Sequence, residues 1–111
     1  MSLLLEHRGA RLEATAEGLR VSGQVGFDAA AALAASGRDW LVGQPAGTRV
    51  VFDLCGVAGV SSAALSVVLE WMRCTRAAGL KLRTVRLSDS LQRLTEVAGL
   101  DRLLPVEPSG A

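Results

Sequence analysis

The stretch Val50-Val51-Phe52-Asp53-Leu54-Cys55-Gly56-Val57-Ala58-Gly59-Val60-Ser61-Ser62-Ala63-Ala64-Leu65 decides the fold, because an apolar strand runs through a loop of small residues into a helix opened by two serines. The run Thr48 to Leu54 is almost continuously apolar, the pattern of a central strand covered on both faces. Ser61 and Ser62 fall where the first N–H groups of a helix have no intrahelical partner. A hydroxyl there can cap the helix, contact an anion or a partner surface, or accept a phosphate that the helix dipole stabilises.

Beyond the serines, Leu65, Val68, Leu69 and Met72 recur at helical spacing from Ser62 to Ala78, and Ser62, Ser66, Glu70 and Arg73 occupy another side. Gly79 closes this helix. Val67, Trp71, Cys74 and Ala78 form a second apolar line. It either packs on a neighbouring helix or leaves Trp71 partly exposed as an interface anchor, a role in which tryptophan is enriched. Leu80 to Leu87 alternates weakly as a further strand. Ser88-Asp89-Ser90 then opens a helix carrying Leu91, Leu94, Val97 and Ala98, closed by Gly99. Leu100, Leu103 and Leu104 tuck under the fold, and Val106 to Ala111 reads as a tail.

Upstream, Gln44-Pro45-Ala46-Gly47 is turn chemistry. Asp28 precedes Ala29 to Ala35, a run of high helix propensity that Gly37 interrupts, with Trp40-Leu41-Val42 able to resume it. Before that, Leu12, Ala14 and Ala16 alternate with polar residues, and Leu19 to Val25 alternates again after Gly18, predicting a hairpin through Glu17-Gly18. The order β-β-α-β-α-β-α predicts an α/β domain with a mixed sheet of about four strands. An antiparallel hairpin opens it, parallel β-α-β units follow, and helices flank the sheet. Residues 1–111 make one domain, with a core over about 8–105 and a flexible tail from 106.

The 111 residues include two Phe, two Trp and no Tyr although half are apolar, so the core is built mainly from Leu, Val and Ala. A net charge of +1 provides no global field for nucleic acid or an anionic membrane. No apolar run reaches the ~20 residues that span a bilayer, and Met1 to Leu5 is too short for a secretory signal, so a cytoplasmic location is expected. Cys55, Cys74 and the sole histidine, His7, lack metal-ligand spacing, and both cysteines read as reduced and structural.

Gly59-Val60-Ser61-Ser62-Ala63 invites comparison with the G-x-S-x-G nucleophile elbow, but the last glycine is missing and His7 precedes the serine where that fold places its histidine after it. Neither phosphate-binding glycine motif occurs. Asp53 has no second carboxylate close by and reads as a partner of N–H groups in the loop that follows. Arg73, Arg76, Lys81, Arg83 and Arg86 read as a solvated basic face.

Taken together, Leu12 to Pro105 resembles a STAS domain, the fold of bacterial anti-sigma factor antagonists. In that family an apolar strand ends in Asp-Leu, as at Asp53-Leu54, and a loop leads to Asp-Ser-Ser-Gly-Leu or Asp-Thr-Gly-Gly-Leu. Ser61-Ser62-Ala63-Ala64-Leu65 stands at that position. Ser61 replaces the family's aspartate, and Ala63 and Ala64 replace small residues that are often glycine. Leu69-Glu70-Trp71, Val85 to Leu91 and Gly99 to Pro105 are similar to the MlaB branch of the family.

This resemblance implies a non-enzymatic subunit without cofactor that binds the MlaF-like ATPase of an ABC phospholipid transporter serving outer-membrane lipid asymmetry. The complex also holds permease and substrate-binding subunits, so the chain is peripheral to the inner membrane without inserting into it. Ser62 takes the place of the family's phosphorylated or partner-contacting hydroxyl, and Ser61, Ser66, Glu70 and Trp71 flank it in the implied contact. The alternative implied by the family is an anti-sigma factor antagonist switched by phosphorylation of Ser62.

Overall fold

The computed structural model describes residues 2–106; Met1 and most of the expected tail, 107–111, lie outside the described residues. The fold is α/β. Five strands, β1 (Ser2–His7), β2 (Ala10–Ala14), β3 (Gly18–Gly23), β4 (Arg49–Val57) and β5 (Lys81–Leu87), form one sheet in the order β1-β2-β3-β4-β5. β1, β2 and β3 are antiparallel neighbours, and β3-β4 and β4-β5 are parallel. Between and after the parallel strands come α1 (Phe27–Val42), α2 (Ser62–Ala77) and α3 (Asp89–Val97).

The hairpin expected through Glu17-Gly18 is β2-β3, with Leu12 opposite Val21. Its turn is held by the Thr15 hydroxyl, which accepts from the N–H groups of Glu17 and Gly18, both at 3.2 Å. β1 is an addition to the four strands expected from sequence. Its register shifts between Leu3 and Leu5, and a bulge at that point removes the period-two alternation that marks a strand. Arg8 and Gly9, at φ 49° and 86°, link β1 to β2 in a two-residue turn of the kind that matches strand twist.

The central strand departs from its expected environment. Val50, Phe52 and Leu54 are buried towards the helices, whereas Asp53 on the opposite face is half-buried and Cys55, near the end of the strand, is exposed. The helices form one layer, α1 against α2 and α2 against α3. Arg20, Ser22, Asp53 and Arg86 alternate away from that layer, giving a polar open sheet face. Val51 continues the apolar run because its neighbours on that face still bury it to 3 % exposure.

Gly37 does not interrupt α1, which runs through it unbroken. Trp71 explains the glycine: its fully buried indole lies where a side chain at position 37 would project, and Nε1 donates to Ala34 O at 3.3 Å. The same ring tilts 58° against Phe52 with centroids 5.4 Å apart, an aromatic pair in an otherwise aliphatic core. Gly26, with no side-chain bond, is the N-cap of α1, and Asp28 lies in its first turn.

At the far edge of the sheet, Val85 N–H and Thr84 Oγ1 both donate to Pro105 O at 2.9 Å, and Val106 bridges to Val85 in parallel. Val106, read from sequence as the start of the tail, is therefore laid along β5. Leu104 is buried, Leu100 half-buried and Leu103 exposed, so two of the three leucines tuck under the fold.

Candidate functional site

The C-terminal ends of β3 and β4 deliver two loops to one edge of the sheet, the place where open α/β sheets present their sites. Ala58 N–H donates to Gly23 O at 2.8 Å, and Ser61 Oγ donates to Val25 O at 2.7 Å. These bonds fasten the loop before α1 to the loop before α2. Gly59 takes φ 65°, which lets the second loop turn into its helix.

Ser61 is the N-cap of α2, in extended conformation, and its Oγ accepts from Ala64 N–H at 3.0 Å. With both bonds made the side chain is buried, so Ser61 is withdrawn from the partner surface expected of it. Its hydroxyl faces a carbonyl and an amide rather than a basic side chain, and the loop-to-loop bond accounts for the residue. Helix capping and tethering of the β3–α1 loop need a short hydroxyl side chain here, which gives the replacement of the family's aspartate a structural use.

Ser62, by contrast, is the first residue of α2 and is exposed. Ser66, one turn on and also exposed, donates its hydroxyl back to Ser62 O at 3.2 Å. Leu69, 37 % exposed rather than core-facing, continues the same stripe. Glu70 lies beside it, half-buried and gripped by Arg73, whose Nε donates to Oε2 at 3.1 Å while Nη2 reaches Oε1. That bidentate pairing holds the Glu70 carboxyl below its ordinary pKa and raises that of Arg73. Glu70 also accepts a weak Cys74 Sγ contact at 3.9 Å, and burial pushes the Cys74 thiol up.

Trp71 corrects the sequence reading. It is fully buried between α1, α2 and the sheet and cannot anchor an outside partner. The second apolar line of α2 instead packs on α1, so the helix buries residues towards both the sheet and its neighbour. Two residues not singled out from sequence are exposed near this edge: Phe27, 82 % exposed in the first turn of α1, and Val60, 70 % exposed just before Ser61. The Ser61-to-Val25 bond brings their loops together. The legible signal was Phe27 itself, one of only two phenylalanines, standing between Gly26 and an acidic first turn where no core position was predicted.

The other singled-out residues lie elsewhere. Asp53, on the open sheet face, accepts from Cys55 N–H at 3.0 Å and approaches Arg20 at 3.9 Å. Arg86 pairs with Glu17 at 2.7 Å on that face, and Arg73 is taken up by Glu70 within α2, so these two basic residues do not share one surface. His7 stands in β1, Cys55 on β4 and Cys74 within α2, on three separate elements. No described helix is long and apolar enough to cross a membrane.

The site is thus a pre-formed edge: an exposed hydroxyl at a helix start, a small polar stripe and two exposed apolar side chains, held by backbone-directed hydrogen bonds. Comparison with curated proteins gives no match. The family described as Mlab, STAS domain matches residues 9–105, from the β1-β2 turn through the segment that covers β5, and so takes in four of the five strands, all three helices and this edge. With that match over most of its length, and a mixed sheet that delivers Ser62 exposed at the start of α2, the chain belongs to the MlaB-type STAS domain family.

Proposed function

We propose that this chain is a non-enzymatic STAS subunit that binds the ATPase of an Mla-type ABC phospholipid transporter and supports its assembly and activity. The observation that carries the reading is the exposure of Ser62 at the start of α2 in a chain of the MlaB STAS family, with exposed Val60 two residues before it and exposed Phe27 on the helix whose leading loop is tied to Ser61. An exposed hydroxyl on the same edge as exposed apolar groups suits a protein contact: the apolar side chains supply buried area and the hydroxyl a directional bond. The contact comprises Ser62, Ser66, Leu69, Phe27 and Val60, with Glu70 at its border; Ser61 supports it from beneath. In this reading the chain works on the cytoplasmic side of the inner membrane, held there by the transporter.

Co-purification of the tagged chain with an ABC ATPase and its permease, in mild detergent, tests the proposal. Ser62→Asp should lose the ATPase, because it places a charge in a partly desolvated contact, while the fold persists because Ser61 remains the cap. Undiminished recovery with Ser62→Asp would count against this surface.

The exposed Ser62 hydroxyl also favours a second reading, an anti-sigma factor antagonist controlled by phosphorylation. A phosphate there would lie next to the positive end of the α2 dipole. Incubation with a kinase-like anti-sigma factor and ATP would then add one phosphate at Ser62, and recovery of that kinase in place of the transporter would decide for it.

A further inference from the structure

The two edges of the sheet are treated differently. The β5 edge is closed by the chain itself, through Pro105 and Val106. The β1 edge pairs only with β2; α1 packs against β1, but among the described residues no second strand is paired along its outer side. Open edges are usually blunted by lysine, proline, an inward charge or a bulge, and of these β1 carries only the bulge, between Leu3 and Leu5. β1 reads Ser2-Leu3-Leu4-Leu5-Glu6-His7, with no lysine or proline, and Leu3 is 51 % exposed.

The register of β1 adds a second observation. Leu5 and His7 stand opposite Leu12 and Ala10, which are fully buried on the helix side, whereas Leu3 and Glu6 stand opposite Glu13 and Arg11 on the open side. The bulge falls at Leu4, and Leu4 and Leu5 both pack against the core cluster. Ser2, opposite Ala14, returns to the helix side. Along the strand the sides therefore run helix, open, helix, helix, open, helix, a pattern that reads the same in both directions.

We propose that two copies of this chain pair edge to edge through β1, antiparallel, about a two-fold axis between Leu4 and Leu5. Residues directly opposite in an antiparallel pair share a face. The register that sets Ser2 against His7, Leu3 against Glu6 and Leu4 against Leu5 of the second copy satisfies this at every position. Moving it by one residue sets Leu3 against Leu5 and Ser2 against Glu6, across opposite faces. The strand's one carboxylate thereby meets a leucine, not its own copy. A heterologous strand would have no reason to match this palindrome, whereas a second copy matches it by symmetry. β1 precedes residue 9, where the family match begins, and it is three strands from β4, so the pairing leaves the Ser62 edge open. A single strand pair is far smaller than the roughly 1,200–2,000 Å² of a stable interface, so the dimer is weak and concentration-dependent.

Sedimentation of the purified full chain up to about 1 mM, the weak end of specific association, combined with hydrogen exchange at low and high concentration, tests this. A monomer–dimer equilibrium is expected, with concentration-dependent slowing of exchange in Ser2–His7. Because Glu13 of the same chain also stands opposite position 3, the comparison is made in a Glu13→Gln background: there Leu3→Glu sets like charges against Glu6 of the second copy twice per dimer and should weaken dimerisation about tenfold or more, whereas Leu3→Lys should leave it equal or tighter. Unchanged melting temperatures confirm that both variants fold. A monomer at every concentration, protection confined to another segment, or equal responses to the two substitutions would overturn the proposal.

Discussion

Replacing Gly37 with alanine should destabilise the domain although alanine is the better helix former. A methyl carbon at position 37 would stand 2.5 Å from Trp71 Cζ2 and nearer still to Cε2 and Nε1. The indole cannot retreat: it is fully buried, hydrogen-bonded to Ala34 O and stacked obliquely on Phe52. Overpacking a tight core costs about 1–3 kcal/mol, and contact with a rigid ring places this case near ~3. Alanine returns about 1 kcal/mol of helix propensity, leaving a net loss of about 2 kcal/mol. At roughly 4–8 °C per kcal/mol for a domain near this size, the melting temperature falls by about 10 °C. Urea unfolding followed by circular dichroism reads the difference as a lower midpoint at unchanged slope. In a Trp71→Leu background, which has no atoms beyond the δ position and so none where Nε1, Cε2 and Cζ2 stand, most of the penalty should disappear. A Gly37→Ala variant as stable as the parent, or more stable, would refute the packing of α1 on α2 described above.

Ser61→Ala removes both the α2 cap and the bond to Val25 O, and should cost about 2 kcal/mol, one part for the cap and one for the buried carbonyl left alone, measurable by the same unfolding curves. Phe27→Ala, at an 82 % exposed position, should change stability by less than about 0.5 kcal/mol. If the proposed contact is correct, it should nevertheless weaken ATPase binding by about 2 kcal/mol, some thirtyfold, in a calorimetric titration. Cys55 should react quickly with a maleimide in the native protein, and Cys74 only on unfolding, because Cys74 is buried and its thiol is held protonated; peptide mapping of the label distinguishes the two. The Glu70 carboxyl, lowered chiefly by its bonds to Arg73, should titrate below the ordinary glutamate value in an NMR pH series. Because the folded pKa is depressed, its contribution is present above the ordinary value and fades as pH falls through the folded one; Arg73→Ala should return the midpoint towards normal.

Much of this protein was legible in its sequence because local rules and tertiary packing agree there. The apolar run into Ser61-Ser62, the helical period of α2, the alternation of β2 and β3 and the glycine stops at Gly79 and Gly99 each follow from chain geometry over a few residues, and together they impose the α/β order. Which serine caps and which faces out was not legible, since either type of role suits a serine; the choice depends on Val25, thirty-six positions away in sequence, offering a carbonyl to Ser61. Trp71 and Phe27 were decided by packing in the same way. An apolar line on α2 is equally suited to a partner and to a neighbouring helix until α1 arrives with Gly37 beneath the indole, and an aromatic at a helix start is core or surface according to how its loop is tied. β1 escaped because a bulge erases the alternation that advertises a strand, and only pairing with β2 reveals it. The sequence alone determined four of the five strands, the three helices and their order, through propensity and periodicity that act locally. Only the tertiary structure decided which side chains remain at the surface, because burial depends on contacts between segments that are far apart along the chain.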